Sequence, residues 1–327
     1  MSGSIFAVGS GEPGTHAGVL ATVQADRESL DVIDQLDTGE VTYLAVRPGG
    51  GIVYATIETA GGSQLLTLAV DGLFGLRILN AVACGPGPTS HVMVTANLQF
   101  IVVAGYGSSS ITTFACDSDG VARGESDTLV FEGEGPNRDR QTQSHPHQVV
   151  EYEGDLLVPD LGSDRLLRVS IDDTGSLALL ESWEVPAGSG PRHVLPHKHL
   201  LLLVAELSGE LLWSEDPRVG WRVEPSCVTR MPPPAPSAII SRGPDSVLLA
   251  NRGPGVISIW DTSQAVPRLI EDIDSGPSWP RDMEDSEDLI VVANSRDSQL
   301  CGLDADGGEI LWRTKWDHPT SVVNLDS

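Results

Sequence analysis

Four side chains carry most of the chemistry this sequence offers: His147, Arg192, Glu206 and Arg281. Histidine is the side chain whose ordinary pKa lies nearest neutral pH, so it can take a proton from water and hand it on. Arginine presents a planar fork of donors that matches a carboxylate or phosphate, and it stays charged at any working pH. Glutamate beside them is either a second proton acceptor or the counter-ion of a guanidinium. Taken alone, a histidine near a strand start is usually a hydrogen-bonded structural residue, and an arginine near a carboxylate is usually a structural ion pair. These four differ because they recur at matching places in a repeat. Charges gathered in one channel are costly to desolvate and need a reason to be there.

The repeat is plainest in SHPHQVV, DLLVPDLGSDRLLRVS and GPRHVLPHKHLLLLVAELSGELLW. Each unit has a polar opening residue (His147, Arg192), an apolar run rich in Val and Leu, an acid (Asp160, Glu206), a Gly turn and another strand. The spacing of about 45 residues is that of one four-stranded propeller blade. Frequent Gly, Pro, Asp and Ser between the apolar runs favour strands over a helical repeat of similar length.

The units open at Thr42, Ser90, His147, Arg192, Ser237, Arg281 and Ser321. The last is a single short strand, whereas residues 4–8, 17–23 and 30–36 form surplus strands ahead of the first unit. Joined, they complete one blade and leave the ring without an open seam. The expected fold is therefore all-β: a seven-bladed β-propeller with four antiparallel strands per blade, spanning 1–327 as a single domain and closed by N- and C-terminal strands sharing a blade. The irregular linker 117–143 should supply an outer strand at 127–132, and the Pro run before Ser237 marks a loop between blades.

Composition narrows the partners. A formal charge of −26 repels phosphate backbones and anionic membranes, so neither nucleic acid nor membrane is expected. A few arginines in one pocket can still set a positive local field, and the expected partner is a small anionic substrate, bound by a monomer or weak homo-oligomer. Cys84, Cys116, Cys227 and Cys301 lie far apart without CxxC spacing and are expected to be buried thiols. The N-terminal stretch lacks a basic segment followed by an apolar one, and no run reaches membrane-spanning length, so the expectation is a soluble, cytoplasmic protein.

In a propeller the innermost strands line a central channel, and the residues following each second strand converge on the same mouth. His91 joins His147, Arg192 and Arg281 at strand starts; Glu58, Tyr106, Asp160, Glu206, Asn251, Arg252 and Asn294 follow second strands. The expected site has His147, Glu206, Arg192 and Arg281 as its catalytic members, with His91, Tyr106, Asp160, Asn251, Arg252, Asn294 and Glu58 binding substrate. His145 sits nearer the rim. Strand alternation turns His193 away from the channel, and His197 and His199 lie in an exposed hairpin. His91, His147, Asp160 and Glu206 would have to come together from separate blades to ligate a metal, and no close ligand pair is present, so neither metal nor cofactor is expected. No GxSxG elbow points to a serine nucleophile.

The motifs HPHQVV with LLVPDLGSDRL, GPRHV with VAELSGE, PSAI with LLANRGPGVISIW, and WPRDM with LIVVANSRDS, in this order and spacing, resemble the seven-bladed propeller lactonases. That family includes 6-phosphogluconolactonases and fungal 3-carboxy-cis,cis-muconate cyclases. The resemblance implies hydrolysis of a small anionic lactone, with His147 at the position of the proposed catalytic histidine and Arg192, Glu206 and Arg281 completing the polar site. A lactonising muconate cyclase would use the same groups differently: arginines hold carboxylates while an acid or histidine protonates carbon. A non-catalytic binding propeller is the third reading, because fold alone decides no function. The hairpins at EYEGD and PHKHL are shorter than the family's usual Asp-Gly turns and lie away from the pocket.

Overall fold

The computed structural model describes residues 3–229, 231–276 and 279–326. Among these residues the chain forms seven sheets, each of four antiparallel strands, and no helix. Six blades are made of consecutive strands, spanning 40–83, 89–130, 150–184, 191–225, 236–274 and 280–315. The seventh has Pro319–Asn324 as its inner strand, followed outward by Ser4–Gly11, Gly18–Ala25 and Leu30–Thr38. Phe6 pairs with Asn324 and Val8 with Val322. Beyond the ladder, Leu325 N donates to Ile5 O at 2.8 Å and Ile5 N to Asp326 Oδ2 at 2.9 Å. The expected closure is present, with one shift: its opening residue is Thr320, since Ser321 pairs with Gly9 and Pro319 with Ser10. Among the described residues no helix is long and apolar enough to cross a membrane.

The core consists of layers between blades. Each apolar cluster draws on two neighbouring blades, as where Leu157, Leu166 and Trp183 of the third meet Val194, Leu201, Leu203 and Leu212 of the fourth. A middle strand therefore buries both faces, and Leu200–Ala205 is apolar and buried at every position. This is why the second strands read as unbroken apolar runs rather than alternations. Truncating one such side chain, Leu203→Ala for example, removes packing from a site with no room to relax and costs about 2–5 kcal/mol. The short hairpin at EYEGD works because Glu153 and Gly154 both take positive φ, 52° and 83°, the two-residue turn whose twist suits paired strands.

Three expectations need correction. The outer strand of the second blade is Ala122–Val130, displaced from 127–132. It follows at once on a tight turn in which Asp117 N donates to Val121 O and Gly120 has φ 83°, and its mostly exposed residues lack the apolar signal used to find it. His197 is buried, its Nε2 2.8 Å from Thr262 Oγ1 and 3.2 Å from Pro244 O, whereas His199 is exposed. Cys84, Cys227 and Cys301 are buried, but Cys116 is partly exposed beside the Tyr54 hydroxyl.

Candidate functional site

Each inner strand begins with a register irregularity that holds one residue more than its partner strand. Thr42 lies between the pairs Val41–Ile57 and Tyr43–Thr56, Ser90 between Thr89–Gly105 and His91–Ala104, and Arg281 between Pro280–Asn294 and Asp282–Ala293. In the fourth blade Arg192 and His193 together face the one residue between Ala205 and Leu203. A bulge of this kind re-aims a side chain and suspends strict alternation. The consequence is two tiers of side chains along the channel. The upper tier holds the opening residues; the lower tier holds their successors Tyr43, His91, Gln148, His193, Ala238 and Asp282, which border a second chamber of about 340 Å³ on the far side.

Hydroxyls in the upper tier bind the blades together. Ser90 Oγ donates to Pro146 O at 2.9 Å, Ser237 Oγ to Pro280 O at 2.7 Å, and Thr320 Oγ1 to Val41 O at 2.7 Å, each reaching the next blade. The upper-tier residues Thr42, Ser90, His147, Arg192 and Arg281 line a cavity of about 950 Å³, with Tyr106, Glu206 and Arg252 from the ends of second strands.

Glu206 is the electrostatic centre. Its Oε2 lies 2.7 Å from Arg192 Nη1 and 2.8 Å from Arg252 Nη2, and its Oε1 2.9 Å from Arg140 Nη2. Burial works to raise this carboxyl, but Arg252 and Arg192, with His147 and Arg140 behind them, hold it well below the usual range. It is an ionised anchor for guanidinium groups and a weak base. His147 Nε2 lies 2.6 Å from Arg192 Nη1. A guanidinium only donates, so Nε2 accepts and the neutral ring carries its proton on Nδ1. Burial and the Arg192 charge hold the imidazole well below its ordinary value. Burial also brings Arg252 down to about 10 and lowers Arg281. Arg281 makes no hydrogen bond or ion pair among the described residues, so its donors remain for a ligand.

The expected residues divide along one rule. Asp160, Asn251 and Asn294 pair across from the residue before the bulge, and Glu58, Tyr106, Glu206 and Arg252 come one position later. Consecutive strand residues face opposite ways. The later set lines the cavity, while the earlier set seals turns and blade seams. Asp160 Oδ2 accepts from Ser144 Oγ at 2.7 Å and its Oδ1 from His145 N at 2.6 Å and Gly162 N at 3.0 Å. Asn251 Oδ1 accepts from Ser226 Oγ at 2.6 Å, and Asn294 Nδ2 donates to Ser275 O at 2.9 Å. Glu58 touches the cavity, but Thr89 N and Ser63 Oγ occupy its oxygens at 2.8 and 2.7 Å.

His91 lies in the lower tier, its ring 4.3 Å from that of Tyr43, because the bulge residue of its blade is Ser90. His193 is also in the channel, contrary to strict alternation, with its ring 5.9 Å from that of His147. His145 stacks on Tyr106 at 4.1 Å and 10°. Glycines allow these turns to sit close: a Cβ on Gly253 would lie 1.9 Å from Pro233 O, and one on Gly107 2.1 Å from Gly87 O, so Arg252 and Tyr106 are pressed against the preceding loop.

Sequence reasoning missed Arg140 and Trp279. Arg140 belongs to the loop before the inner strand of the third blade, which is reduced to Val150–Tyr152 and a bridge at Pro146, so no repeat register points to it. Trp279 opens the WPRDM motif and lies under Arg252, 5.4 Å from guanidinium carbon to ring centre; its place just before Pro280 was the available signal. The donors weighed for a metal, His91, His147, Asp160 and Glu206, are divided among the lower tier, the cavity and a blade seam. Among the described residues no group of three or more His, Cys, Asp or Glu side chains is placed to hold a metal ion.

The family model "Lactonase, 7-bladed beta-propeller" matches residues 6–314. The 6-phosphogluconolactonase of Bacillus subtilis (strain 168) is 28% identical over 279 residues, covering 80% of this chain and 79% of that protein. Among solved structures, the periplasmic gluconolactonase of Pseudomonas aeruginosa superposes with a TM-score of 0.86 at 19% identity, over 98% of this chain and 99% of that one. A protein from Lactobacillus plantarum does so with a TM-score of 0.86 at 22% identity, over 99% and 100%. Repeat, closure and family model agree, and this chain belongs to the seven-bladed β-propeller lactonase family.

Proposed function

We propose that this protein hydrolyses a small anionic lactone in the upper cavity, of the 6-phosphogluconolactone type suggested by the name of its Bacillus relative. The observation that carries the reading is the charge arrangement: four arginines border the cavity, three share the one carboxylate of Glu206, and Arg281 has no partner among the described residues. Glu40 and Glu58 also line the cavity, and the four guanidinium groups still outnumber its three carboxyl groups inside a chain of charge −26. A fork of donors at Arg281, supported by Arg252, suits the carboxylate or phosphate of a substrate.

Opening a lactone requires an activated water, a stabilised oxyanion and a proton for the leaving alkoxide. As substrate enters, Arg192 turns its N–H from His147 Nε2 toward the lactone carbonyl oxygen, and the freed Nε2 takes a proton from water as the water oxygen bonds to the acyl carbon. The acyl carbon to ring oxygen bond then breaks, and the alkoxide recovers the proton from Nε2. Glu206 acts as a positioning residue, because its oxygens are occupied and its basicity is low.

The test is turnover of a lactone panel, with and without a phosphate or carboxylate, measured against spontaneous hydrolysis. Acceleration confined to anionic lactones, with KM raised in Arg281→Ala, supports the reading. No acceleration of any lactone overturns it.

A further inference from the structure

An array of rings connects the cavity with the chamber on the far side. His193 lies edge-on to His147 at 5.9 Å and 63°, to His91 at 6.1 Å and 81°, and to Tyr43 at 6.2 Å and 76°. Two ring nitrogens in it, His147 Nδ1 and His193 Nε2, are buried and have no hydrogen-bond partner among the described residues. Since His147 Nε2 accepts from Arg192, Nδ1 is a donor without an acceptor, and the ring packed against it carries a nitrogen that also lacks a partner. Buried polar atoms left this way are costly, so a pair of them on adjoining rings calls for an account.

The far chamber holds Asp282 and Glu284, neither in a salt bridge among the described residues. The cavity end carries Arg140, Arg192, Arg252 and Arg281 beside Glu206, Glu40 and Glu58, and the chamber end carries Asp282 and Glu284 with no arginine or lysine among the described residues that line it. The Arg192 charge repels a proton from the intervening rings. The groups facing His193 are Arg192, His147, His91, Glu206 and Tyr43; those facing Glu284 are Asp282 and Asp285.

We propose that His193 relays the proton released by lactone hydrolysis from His147 to the carboxylates of the far chamber, so that substrate and proton use opposite faces of the propeller. The inference rests on the lactonase reading. Lactone and water give a hydroxycarboxylate and one proton. After the alkoxide has recovered its proton from Nε2 of His147, the new carboxylic acid gives its proton to Nε2 while Nδ1 passes its own, through a bridging water, to His193 Nε2, and His193 Nδ1 discharges toward the chamber. Burial, with the Arg192 charge, keeps His147 and His193 neutral, so they act as carriers rather than traps. Burial and the neighbouring Asp282 push Glu284 up to about 8, which suits a group that must bind and release a proton near neutral pH.

Two measurements test this. In weakly buffered solution, His193→Phe keeps a ring in place and should lower kcat roughly 10- to 100-fold with KM unchanged, toward the lower end of what a positioned proton-transfer group contributes; millimolar imidazole added to the solution should restore it. Glu284→Gln should show the same buffer-dependent loss. Equal kcat for His193→Phe and wild type in every buffer overturns the relay, as does a loss no buffer restores, which marks a structural role. Nitrogen-15 NMR of the ligand-free protein supplies a readout independent of turnover: both rings should be neutral and protonated on Nδ1. A His193 protonated on Nε2 would set donor against donor and overturn the relay. Absence of lactone turnover in the wild type defeats the lactonase reading instead, and the tautomers still decide whether the path exists.

Discussion

Replacing Glu206 by Gln removes one charge from the centre of the site while nearly preserving its shape. Arg192 and Arg252, with side chains 9% and 11% exposed, lose their counter-ion; Arg140, 42% exposed, is solvated and counts for little. Breaking a buried pair by deleting one partner costs about 3–5 kcal/mol, because the remaining charge stays buried without compensation. Unfolding entropy of about 2.1 cal/mol/K per residue amounts to roughly 0.7 kcal/mol/K over the chain, so Glu206→Gln should melt about 4–7 °C below wild type at pH 7. The gap also has a pH signature. The folded carboxyl is held below its unfolded value, so its stabilising contribution is complete above about pH 4.5 and fades as pH falls from there through the folded pKa. Scanning calorimetry from pH 7 down to pH 3 should show a constant difference that then closes. Inorganic phosphate should raise the melting temperature of the variant more than that of wild type, since an anion can replace the lost carboxylate. A variant as stable as wild type at pH 7 would refute the assignment of Glu206 as anchor of the arginines.

Other outcomes follow from single contacts. Arg281→Ala should leave the melting temperature nearly unchanged, because Arg281 has no partner among the described residues, yet weaken 6-phosphogluconate by about 2–5 kcal/mol in calorimetric titration; unchanged binding would count against it as the anion's contact. Arg192→Ala, by contrast, should lose stability as well as binding, since Arg192 is paired with Glu206. Thr320→Val deletes the hydroxyl between Gly9 O and Val41 O at 3.0 and 2.7 Å, and the stranded carbonyls should cost about 1–3 kcal/mol in urea unfolding; no change would mean the hydroxyl ring contributes nothing to closure.

The blade count, the closure and the convergence of His147, Arg192, Glu206 and Arg281 were legible because a repeat places equivalent residues at equivalent heights. The bulge was not. It adds one residue at each inner strand start, and this offset sends His91 and His193 to the lower tier and Ser90 to the upper. Nor could a shared motif separate Asp160 and Asn251 from Glu206 and Arg252, since one residue of register decides between seam and cavity. Arg140 was out of reach for a different reason: a long loop has no periodicity from which to infer a direction.

The seam between residues 4–11 and 319–324 also sets an order of events in time. Ile5 and Asp326, hydrogen-bonded at 2.9 Å, are 321 positions apart. While the chain is being made, the three N-terminal strands must wait without an inner partner until the strand Pro319–Asn324 has emerged from the ribosome. Contacts of such separation form late and slowly. The uncovered edge of Ser4–Gly11 is therefore exposed longest to wrong pairing, including with the same edge of another nascent copy. A rearranged chain beginning at Asp317, ahead of the strand Pro319–Asn324, would have its seventh blade contiguous and should escape that wait.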